Sequence, residues 1–462
     1  MSVFKTQNFD KSENPLAVAP IGKLLVKFAI PSVVAMLVTG LYNIVDQIFI
    51  GNFVGELGNA ATNIAFPLST LCTATSLMFG IGGAAAFNLS MGAGKKDTAG
   101  KFVGNALVAA FSIALIITLV GEIFLTPMLK FFGATNNILP YAKEYTRITA
   151  IGFPFLIITV SGGHMIRADG KPTVSMICNL AGAIINTGLD ALFVIGFGWG
   201  MKGAAAATVI GQVISCSIAV YHLAHFRTVK LTKNDWLPDV KVILRVANLG
   251  MSQGFNQIAM MVVQIVLNNS LKHYGALSIY GEDIPIAVVG ISSKLAMLYF
   301  SFCIGISHAV QPIASFNYGA KNYLRTRQAY TKAIMAGSVI SVIAFTVFQL
   351  FPRQIISAFG KGSDLYVQFA VRYIRIYMFC TFLNNFQPMT STFFSAIGKP
   401  RSGLFLSLTR QIIFLLPLIV LLPLIWGIEG MMFAGSIADA LAFVMALSFA
   451  IREFSRPEYK KA

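Results

Sequence analysis

The chain has 462 residues, of which 56% are hydrophobic and 11% are charged, and its mean hydropathy is +0.72. No class of soluble globular protein is this apolar, so the composition predicts an integral membrane protein. The 35 Lys and Arg residues outnumber the 18 Asp and Glu residues, but they lie in short segments between apolar runs. We interpret them as topology signals and expect no nucleic-acid partner.

Twelve apolar runs are long enough to cross a bilayer. The polar N-terminal segment, residues 1–23, is followed by a full-length apolar run with no small-residue cleavage site, so no removable signal peptide is predicted. The even-numbered connections are rich in Lys and Arg, and the positive-inside rule then predicts that both termini are cytoplasmic. The runs lie approximately at residues 24–50, 60–90, 102–125, 141–166, 173–196, 203–224, 242–271, 285–316, 329–351, 366–395, 402–425 and 430–451.

The first run carries a carboxylate, Asp46, deep inside it. An Asp near the middle of a spanning helix costs roughly 2.5–3.5 kcal/mol, so such a residue usually faces a bundle interior and has a function. Helical spacing places Tyr42 and Asn43 on the same stripe as Asp46. Pro31 lies about four turns earlier and allows a kink, because it removes a backbone hydrogen bond. We predict a bendable helix that carries a titratable group.

Runs five and six add a second carboxylate, Asp190, on the stripe of Asn186, and a hydroxyl, Thr208. Two carboxylates close together in a medium of low dielectric either share a proton or hold a cation between them. Asn186 and Thr208 would supply neutral oxygens to a small hard cation. The alternative is that Asp46 and Asp190 only cap or pair with neighbouring groups. We favour the functional interpretation, because carboxylates inside the membrane usually mark ion pathways.

Run seven contains neutral amides and methionines and no carboxylate. An uncharged, adaptable wall of this kind suits promiscuous binding of flat organic molecules. Hydrogen bonding between helices is the alternative for each amide. The substrate-path candidates are Gln253, Asn256, Gln257, Met260, Met261 and Gln264.

Four other kinds of residue inside the runs receive weaker interpretations. A lone His308 is expected to be hydrogen-bonded within the bundle, and Asp439 is a further buried acid whose partner the sequence does not identify. Arg372, Arg375 and Arg410 are expected to snorkel or to form structural pairs. The five cysteines lie inside apolar runs without paired spacing, so neither disulfides nor a metal site is predicted.

An internal repeat links the two halves of the chain, because short words recur in order at a shift of 227 or 228 residues. The sequence therefore predicts an all-α integral membrane protein with twelve transmembrane helices in two six-helix lobes, related by a pseudo-two-fold axis along the membrane normal. The shift takes Asp190 to Pro417 or Leu418, so the acidic pair belongs to the N-terminal lobe alone. The matched words are Gly92-Ala93 with Gly319-Ala320, Phe132-Gly133 with Phe359-Gly360, Gly170-Lys171-Pro172 with Gly398-Lys399-Pro400, and Trp199-Gly200 with Trp426-Gly427.

The repeat and the runs together divide the chain into two lobes joined by a polar segment. We expect the long connection between the lobes to act as a hinge. The predicted parts are a cytoplasmic tail at 1–23, an N-terminal lobe at 24–224, a cytoplasmic link at 225–241, a C-terminal lobe at 242–452 and a second tail at 453–462.

The word Tyr42 to Asp46, the Asn186 and Asp190 pair, Thr208 and the repeated loop words resemble the multidrug and toxic compound extrusion (MATE) family, within the polysaccharide-lipid exporter superfamily. The MepA-like bacterial branch is the most similar, and the resemblance covers essentially the whole chain. It implies export of cationic, amphipathic drugs in exchange for protons or sodium, with no other cofactor. It also implies that Asp46, Asn186, Asp190 and Thr208 form the coupling site.

The resemblance further implies a monomeric, multi-pass protein of the bacterial inner membrane. Some family members bind sodium in the C-terminal lobe through acids on the seventh and tenth helices. Here run seven has only amides, and run ten has Arg372, Arg375, Asn384 and Asn385 instead. A cation site of that kind is therefore not expected.

Two other functions compete with drug export. A lipid-linked precursor flippase of the same superfamily should have a strongly cationic central cavity, whereas the runs contain almost no Lys or Arg near their centres. An intramembrane enzyme would need a nucleophile with a base, or a set of metal ligands. No HExxH, paired His or GxSxG-like word occurs, so we predict that the protein is not an enzyme.

Overall fold

The computed structural model describes residues 14–281, 283–358 and 363–460, and all regular structure in these ranges is helical. The first repeat contains six long helices, with the fifth ending in a π-helical segment, Ala191–Gly196. Two short helices accompany them. The helices are α1 (Pro15–Val18), α2 (Ile21–Phe53), α3 (Glu56–Gly92), α4 (Lys96–Ile123), α5 (Leu125–Phe131), α6 (Leu139–Ala168), α7 (Pro172–Asp190) and α8 (Gly200–Ala224).

The second repeat has the same order, but two of its spanning segments are interrupted. A 3₁₀ segment, Phe379–Leu383, separates α13 from α14, and a π-helical segment, Thr409–Leu415, separates α15 from α16. The helices are α9 (Val240–Ala276), α10 (Asp283–Gly319), α11 (Tyr323–Leu350), α12 (Pro352–Ala358), α13 (Asp364–Tyr377), α14 (Phe386–Ala396), α15 (Pro400–Leu408), α16 (Leu416–Trp426), α17 (Ile428–Phe454) and α18 (Pro457–Lys460).

Ten segments within the described ranges are long and apolar enough to cross a membrane, by length and composition. The predicted runs seven and ten are the two that fall outside this set. Helix α9 has sufficient length but carries the amide stripe, which lowers its hydropathy. Run ten was predicted as one continuous span, but Cys380 has non-helical dihedral angles (φ −88°, ψ 16°) and divides it. Hydroxyls from α10 and α17 bind carbonyls on both sides of Cys380, because Tyr299 donates to Thr381 O at 3.1 Å and Ser436 donates to Tyr377 O at 3.2 Å.

Helix bounds repeat along the chain at the predicted shift. The bounds of α3, α4 and α5 become those of α10, α11 and α12 when 227 is added to each residue number. The repeated Gly-Lys-Pro words have a common structural role, since Gly170 (φ 83°) and Gly398 (φ 79°) adopt the left-handed conformation that favours glycine. The proline that ends each word begins a helix, where its missing N–H is not needed. Phe359 and Gly360, from another matched word, lie outside the described residues.

The two lobes pack together at the end of the molecule that carries the link, which we call the link end. A Cβ atom on Gly82 of α3 would lie 2.0 Å from Val246 O of α9, and one on Gly250 would lie 1.7 Å from Met78 O. Glycine is therefore required at both positions for this backbone approach. Nearby, Gln311 Nε2 of α10 donates to Ile81 O at 2.8 Å. These contacts close the link end.

The link is bound to the N-terminal lobe along its length. Asp169, at the end of α6, accepts hydrogen bonds from Arg227 N and from both the N–H and the hydroxyl of Thr228, at 2.7–3.0 Å. Further on, Asn105 of α4 accepts from Asp239 N at 2.7 Å and donates to Asp235 O at 3.2 Å. The segment predicted to be a hinge is therefore hydrogen-bonded to the N-terminal lobe at Arg227, Thr228, Asp235 and Asp239.

Candidate functional site

A cavity of about 420 Å³ lies between the two lobes. That volume falls within the range of roughly 300–1,000 Å³ that is typical of small-molecule sites. Both lobes contribute to its wall, and the wall mixes apolar side chains with amides and hydroxyls. The wall includes Thr39, Tyr42, His164, Arg167, Asn186, Thr208, Gln253, Asn256, Gln257, Met260, His308 and Arg410.

The acidic pair lies behind the N-terminal wall of this cavity. The carboxyl groups of Asp46, on α2, and Asp190, at the end of α7, are within hydrogen-bonding reach of each other. Their side chains are buried, and among the described residues neither oxygen of Asp190 has a hydrogen-bond donor, nor has Oδ1 of Asp46. Two carboxylates repel each other at this separation in a medium of low dielectric. A shared proton or a bound cation is what makes such an arrangement stable.

Neutral polar groups separate this pair from the cavity. Asn186 Nδ2 donates to Thr208 Oγ1 at 3.3 Å, and the buried Asn186 Oδ1 has no donor among the described residues. Tyr42 and Tyr145 both interact with Thr208 through their hydroxyls. These oxygens suit a small hard cation as well as a proton. No group of three or more His, Cys, Asp or Glu side chains in the described ranges is arranged to hold a metal ion.

The structure thus brings together Asp46, Asn186, Asp190 and Thr208, with Tyr42 beside them. Tyr145 of α6 joins this group although the sequence analysis did not identify it. It is one of 14 tyrosines, and no spacing within its own helix distinguishes it. Only the packing of α6 against α8 places its hydroxyl near Thr208.

Asn43 and Pro31, the other predicted residues of the first run, lie elsewhere on α2. Asn43 is exposed and donates to Thr39 O in its own helix at 2.8 Å, so its amide satisfies a local hydrogen bond rather than lining the cavity. Pro31 is buried, and α2 continues as one helix from Ile21 to Phe53 through it.

Four of the six predicted substrate-path residues line the cavity, namely Gln253, Asn256, Gln257 and Met260. Gln253 Nε2 donates to Thr392 Oγ1 across the C-terminal lobe at 2.9 Å. Met261 and Gln264 are not part of the wall, and Gln264 donates to Asn268 Oδ1 at 2.9 Å on its own helix. The cavity ends before the last third of α9, which periodicity alone could not indicate.

Arginine and histidine side chains also line the cavity, at positions that the sequence analysis did not connect with a binding site. Arg410, in the π-helical segment of the C-terminal lobe, donates through Nε to Asp439 Oδ1 at 2.6 Å, and Asn384 Nδ2 donates to Asp439 Oδ2 at 2.7 Å. The expected structural pairing of Arg410 is therefore present, and Asp439 has its partner. His164 and Arg167, in the last two turns of α6, also line the cavity together with His308 of α10.

The chain is similar in sequence to a known family of proteins. The sequence model of the MatE family matches residues 31–192 and 254–421, one segment in each repeat. Multidrug export protein MepA of Staphylococcus aureus (strain MSSA476) is 24% identical over 431 residues, which cover 93% of each chain. The MepA protein of Staphylococcus saprophyticus is 24% identical over 428 residues, 92% of each chain.

Solved structures show the same fold. A crystal structure of MATE in complex with MaD3S has a TM-score of 0.89 at 22% identity, covering 97% of this chain and 99% of that one. An outward-facing conformation of a multidrug resistance MATE family transporter of the MOP superfamily has a TM-score of 0.88 at 22% identity, covering 96% and 97%. The family match spans most of the chain and both repeats, and the chain therefore belongs to the MATE family of membrane transporters.

Proposed function

We propose that the protein is a secondary active antiporter that exports cationic or amphipathic toxic compounds in exchange for protons or sodium. The observation that carries this proposal is the buried pair Asp46 and Asp190, which lies directly behind the cavity wall. Three of its four carboxylate oxygens have no hydrogen-bond donor among the described residues. Intramembrane carboxylates with no structural partner are typical of ion pathways. The names of the MepA relatives, which describe multidrug export, agree with this use of the cavity.

Coupling requires that the ion and the substrate compete through the same group of side chains. A proton or sodium ion at Asp46 and Asp190 would remove the negative charge behind the N-terminal wall. Tyr42, Asn186 and Thr208 lie between that charge and the cavity, so they transmit the change to a bound cationic substrate. Bending of α2 near Pro31 would then reduce the N-terminal side of the cavity and release the substrate.

Alternating access would follow from rocking of the two lobes. The close backbone contacts of Gly82 and Gly250 join the lobes at the link end, and those contacts must separate for the cavity to open there. We place the link end and both termini in the cytoplasm of a bacterial cell, because the basic connections collect at this end. We further propose that a single chain is the transport unit, since both walls of the cavity come from one chain.

Transport measurements on reconstituted protein test the coupling site. Asp46→Asn and Asp190→Asn remove one negative charge each and keep the side-chain volume. In proteoliposomes, both should reduce gradient-driven efflux of the cationic dye ethidium at least tenfold. Separately imposed pH and sodium gradients identify the coupling ion.

Asp97→Asn is the matched control, because Asp97 is an exposed acid in the first turn of α4. It should transport at the wild-type rate. Wild-type rates and unchanged ion dependence in both Asp46→Asn and Asp190→Asn would refute the coupling site.

The flippase alternative is less well supported. A cavity for a diphosphate-linked lipid should contain several cations without carboxylate partners, whereas Asp439 already compensates Arg410. Arg167 is then the one arginine or lysine of the cavity wall, among the described residues, that lacks a carboxylate partner.

A further inference from the structure

A cluster of Arg167, His164 and His308, which we call the cationic corner, lines the cavity where the two lobes meet. His164 and His308 come from different lobes, and their rings contact edge to face with centroids 4.8 Å apart. The three side chains are only 5%, 3% and 4% exposed, respectively. The coupling proposal uses none of them.

Three nitrogen atoms of the cationic corner lack a hydrogen-bond partner among the described residues. Arg167 donates through Nη1 to Ser175 Oγ at 2.7 Å. Its buried Nε and the Nδ1 atoms of both histidines have no partner among the described residues. A buried polar group without a partner costs about 1–3 kcal/mol, so the arrangement is costly unless a ligand completes it.

The positive charge of Arg167 is also uncompensated. Asp169 is two residues away, but its carboxylate is bonded to Arg227, Thr228 and Lys171. No described Asp or Glu lies on the cavity wall. Arg410, the other guanidinium group on the wall, is paired with Asp439.

We infer that the cationic corner is a binding site for the carboxylate of a zwitterionic amphipathic substrate. The inference deepens the proposed export function and rests on it. Arg167 would donate to the carboxylate, and the imidazoles would add N–H donors from each lobe. The positive group of the same molecule would face Tyr42, Asn186 and Thr208, in front of the acidic pair.

A single negative charge fits this corner better than a phosphate. One uncompensated guanidinium group can neutralise one carboxylate, whereas the second charge of a phosphate would stay unpaired in a medium of low dielectric. The planar fork of the guanidinium group also matches a carboxylate. The substrate class is therefore one that carries one acidic and one basic group on a flat apolar body.

Two dyes that differ only at the carboxyl group test this inference. Rhodamine 110 carries a free carboxylate, and rhodamine 123 is its methyl ester. Binding of each dye to the purified full-length protein in detergent is measured by fluorescence polarisation, so no transport is needed. Wild-type protein should bind rhodamine 110 at least as tightly as rhodamine 123, although the acid has the lower net positive charge.

Arg167→Gln removes the charge but keeps an amide that can donate to Ser175. It should weaken rhodamine 110 binding about tenfold or more and change rhodamine 123 binding less than about twofold. Arg167→Lys should restore most of the affinity for the acid. His308→Gln provides a second variant if Arg167→Gln does not fold, and it should weaken binding of the acid alone.

Equal loss of both dyes in Arg167→Gln, or a wild-type protein that binds the ester much more tightly, would overturn the inference. Asp190→Asn separates this outcome from failure of the proposed function. It should abolish ion-driven efflux but leave the contribution of Arg167 to rhodamine 110 binding intact. If Asp190→Asn transports normally while Arg167 still selects the acid, only the coupling proposal fails.

Discussion

Buried charges are satisfied in different ways in the two lobes. In the C-terminal lobe Asp439 has Arg410 on one oxygen and Asn384 on the other, so its negative charge is fully paired. In the N-terminal lobe Asp46 and Asp190 face each other instead. A carboxylate that is paired with a cation is stable without a further proton or cation. Two facing carboxylates repel each other, so binding of a proton or cation stabilises them. This contrast supports assigning ion coupling to the N-terminal lobe alone.

The Arg410 and Asp439 pair should matter for stability. Breaking a buried ion pair by removing one partner typically costs about 3–5 kcal/mol, because an unpaired charge remains buried. We expect Arg410→Met to lower the free energy of unfolding by this amount and the double variant Arg410→Met/Asp439→Asn to recover most of it. Thermal unfolding in detergent measures the change.

Arg372→Met provides the control for that experiment. Arg372 pairs with Glu429, but the two side chains are 48% and 42% exposed, so its loss should cost less than about 1 kcal/mol. Equal destabilisation by Arg410→Met and Arg372→Met would mean that burial of the pair is unimportant.

The sequence could predict residues whose chemistry conflicts with their surroundings. Asp46 and Asp190 stand out because a carboxylate is costly within an apolar run. Arg167 does not stand out, because it lies next to a basic loop and its charge is expected there. That its side chain reaches the cavity depends on how far α6 extends and on the hydrogen bond to Ser175. His164 becomes meaningful only beside His308, a residue of the other lobe.

At the scale of helices, the repeat was the most informative pattern. Matched loop words correspond to the same left-handed glycines and the same helix starts in both halves. The interruptions in runs ten and eleven were not predicted, because hydropathy reports how apolar a run is and not where its backbone leaves α-helical geometry. Two π-helical segments lie at the proposed sites, because one begins directly after Asp190 and the other contains Arg410. Such local widening of a helix is common at functional sites.

Close packing between α3 and α9 gives a prediction at this scale. A Cβ atom on Gly82 would meet a backbone carbonyl, Val246 O, which cannot move aside as a side chain can. Gly82→Ala should therefore separate the lobes at the link end. Spin labels at Thr98 and Gln328, exposed positions on α4 and α11, should report longer distances by electron paramagnetic resonance.

Gly121→Ala is the matched control for this variant, since a Cβ atom there would meet nothing within 4 Å. Its distance distribution should equal that of the wild type. Unchanged distances in Gly82→Ala would show that the contact does not hold the link end closed.

For the whole molecule, the cavity combines a negative region behind the N-terminal wall with a positive corner at the lobe interface. A cavity with both signs of charge can accept either a simple cation or a zwitterion. The two substrate types differ in net charge, although the same ion would drive export of both under the proposed antiport. The energetics of transport should therefore depend on the substrate.

The electrical work of exchange follows directly from these charges. If one proton enters for each molecule exported, export of a monovalent cation moves no net charge, whereas export of a zwitterion moves one positive charge inward. That charge is worth about 2.3 kcal/mol per 100 mV, or roughly a fiftyfold difference in the attainable concentration gradient of the substrate.

In proteoliposomes with a fixed pH gradient and a potassium-valinomycin potential, a negative interior should increase rhodamine 110 efflux. The same potential should leave rhodamine 123 efflux nearly unchanged, since its exchange is electroneutral. An equal response of the two dyes to the potential would contradict one-for-one exchange with the acid in its zwitterionic form.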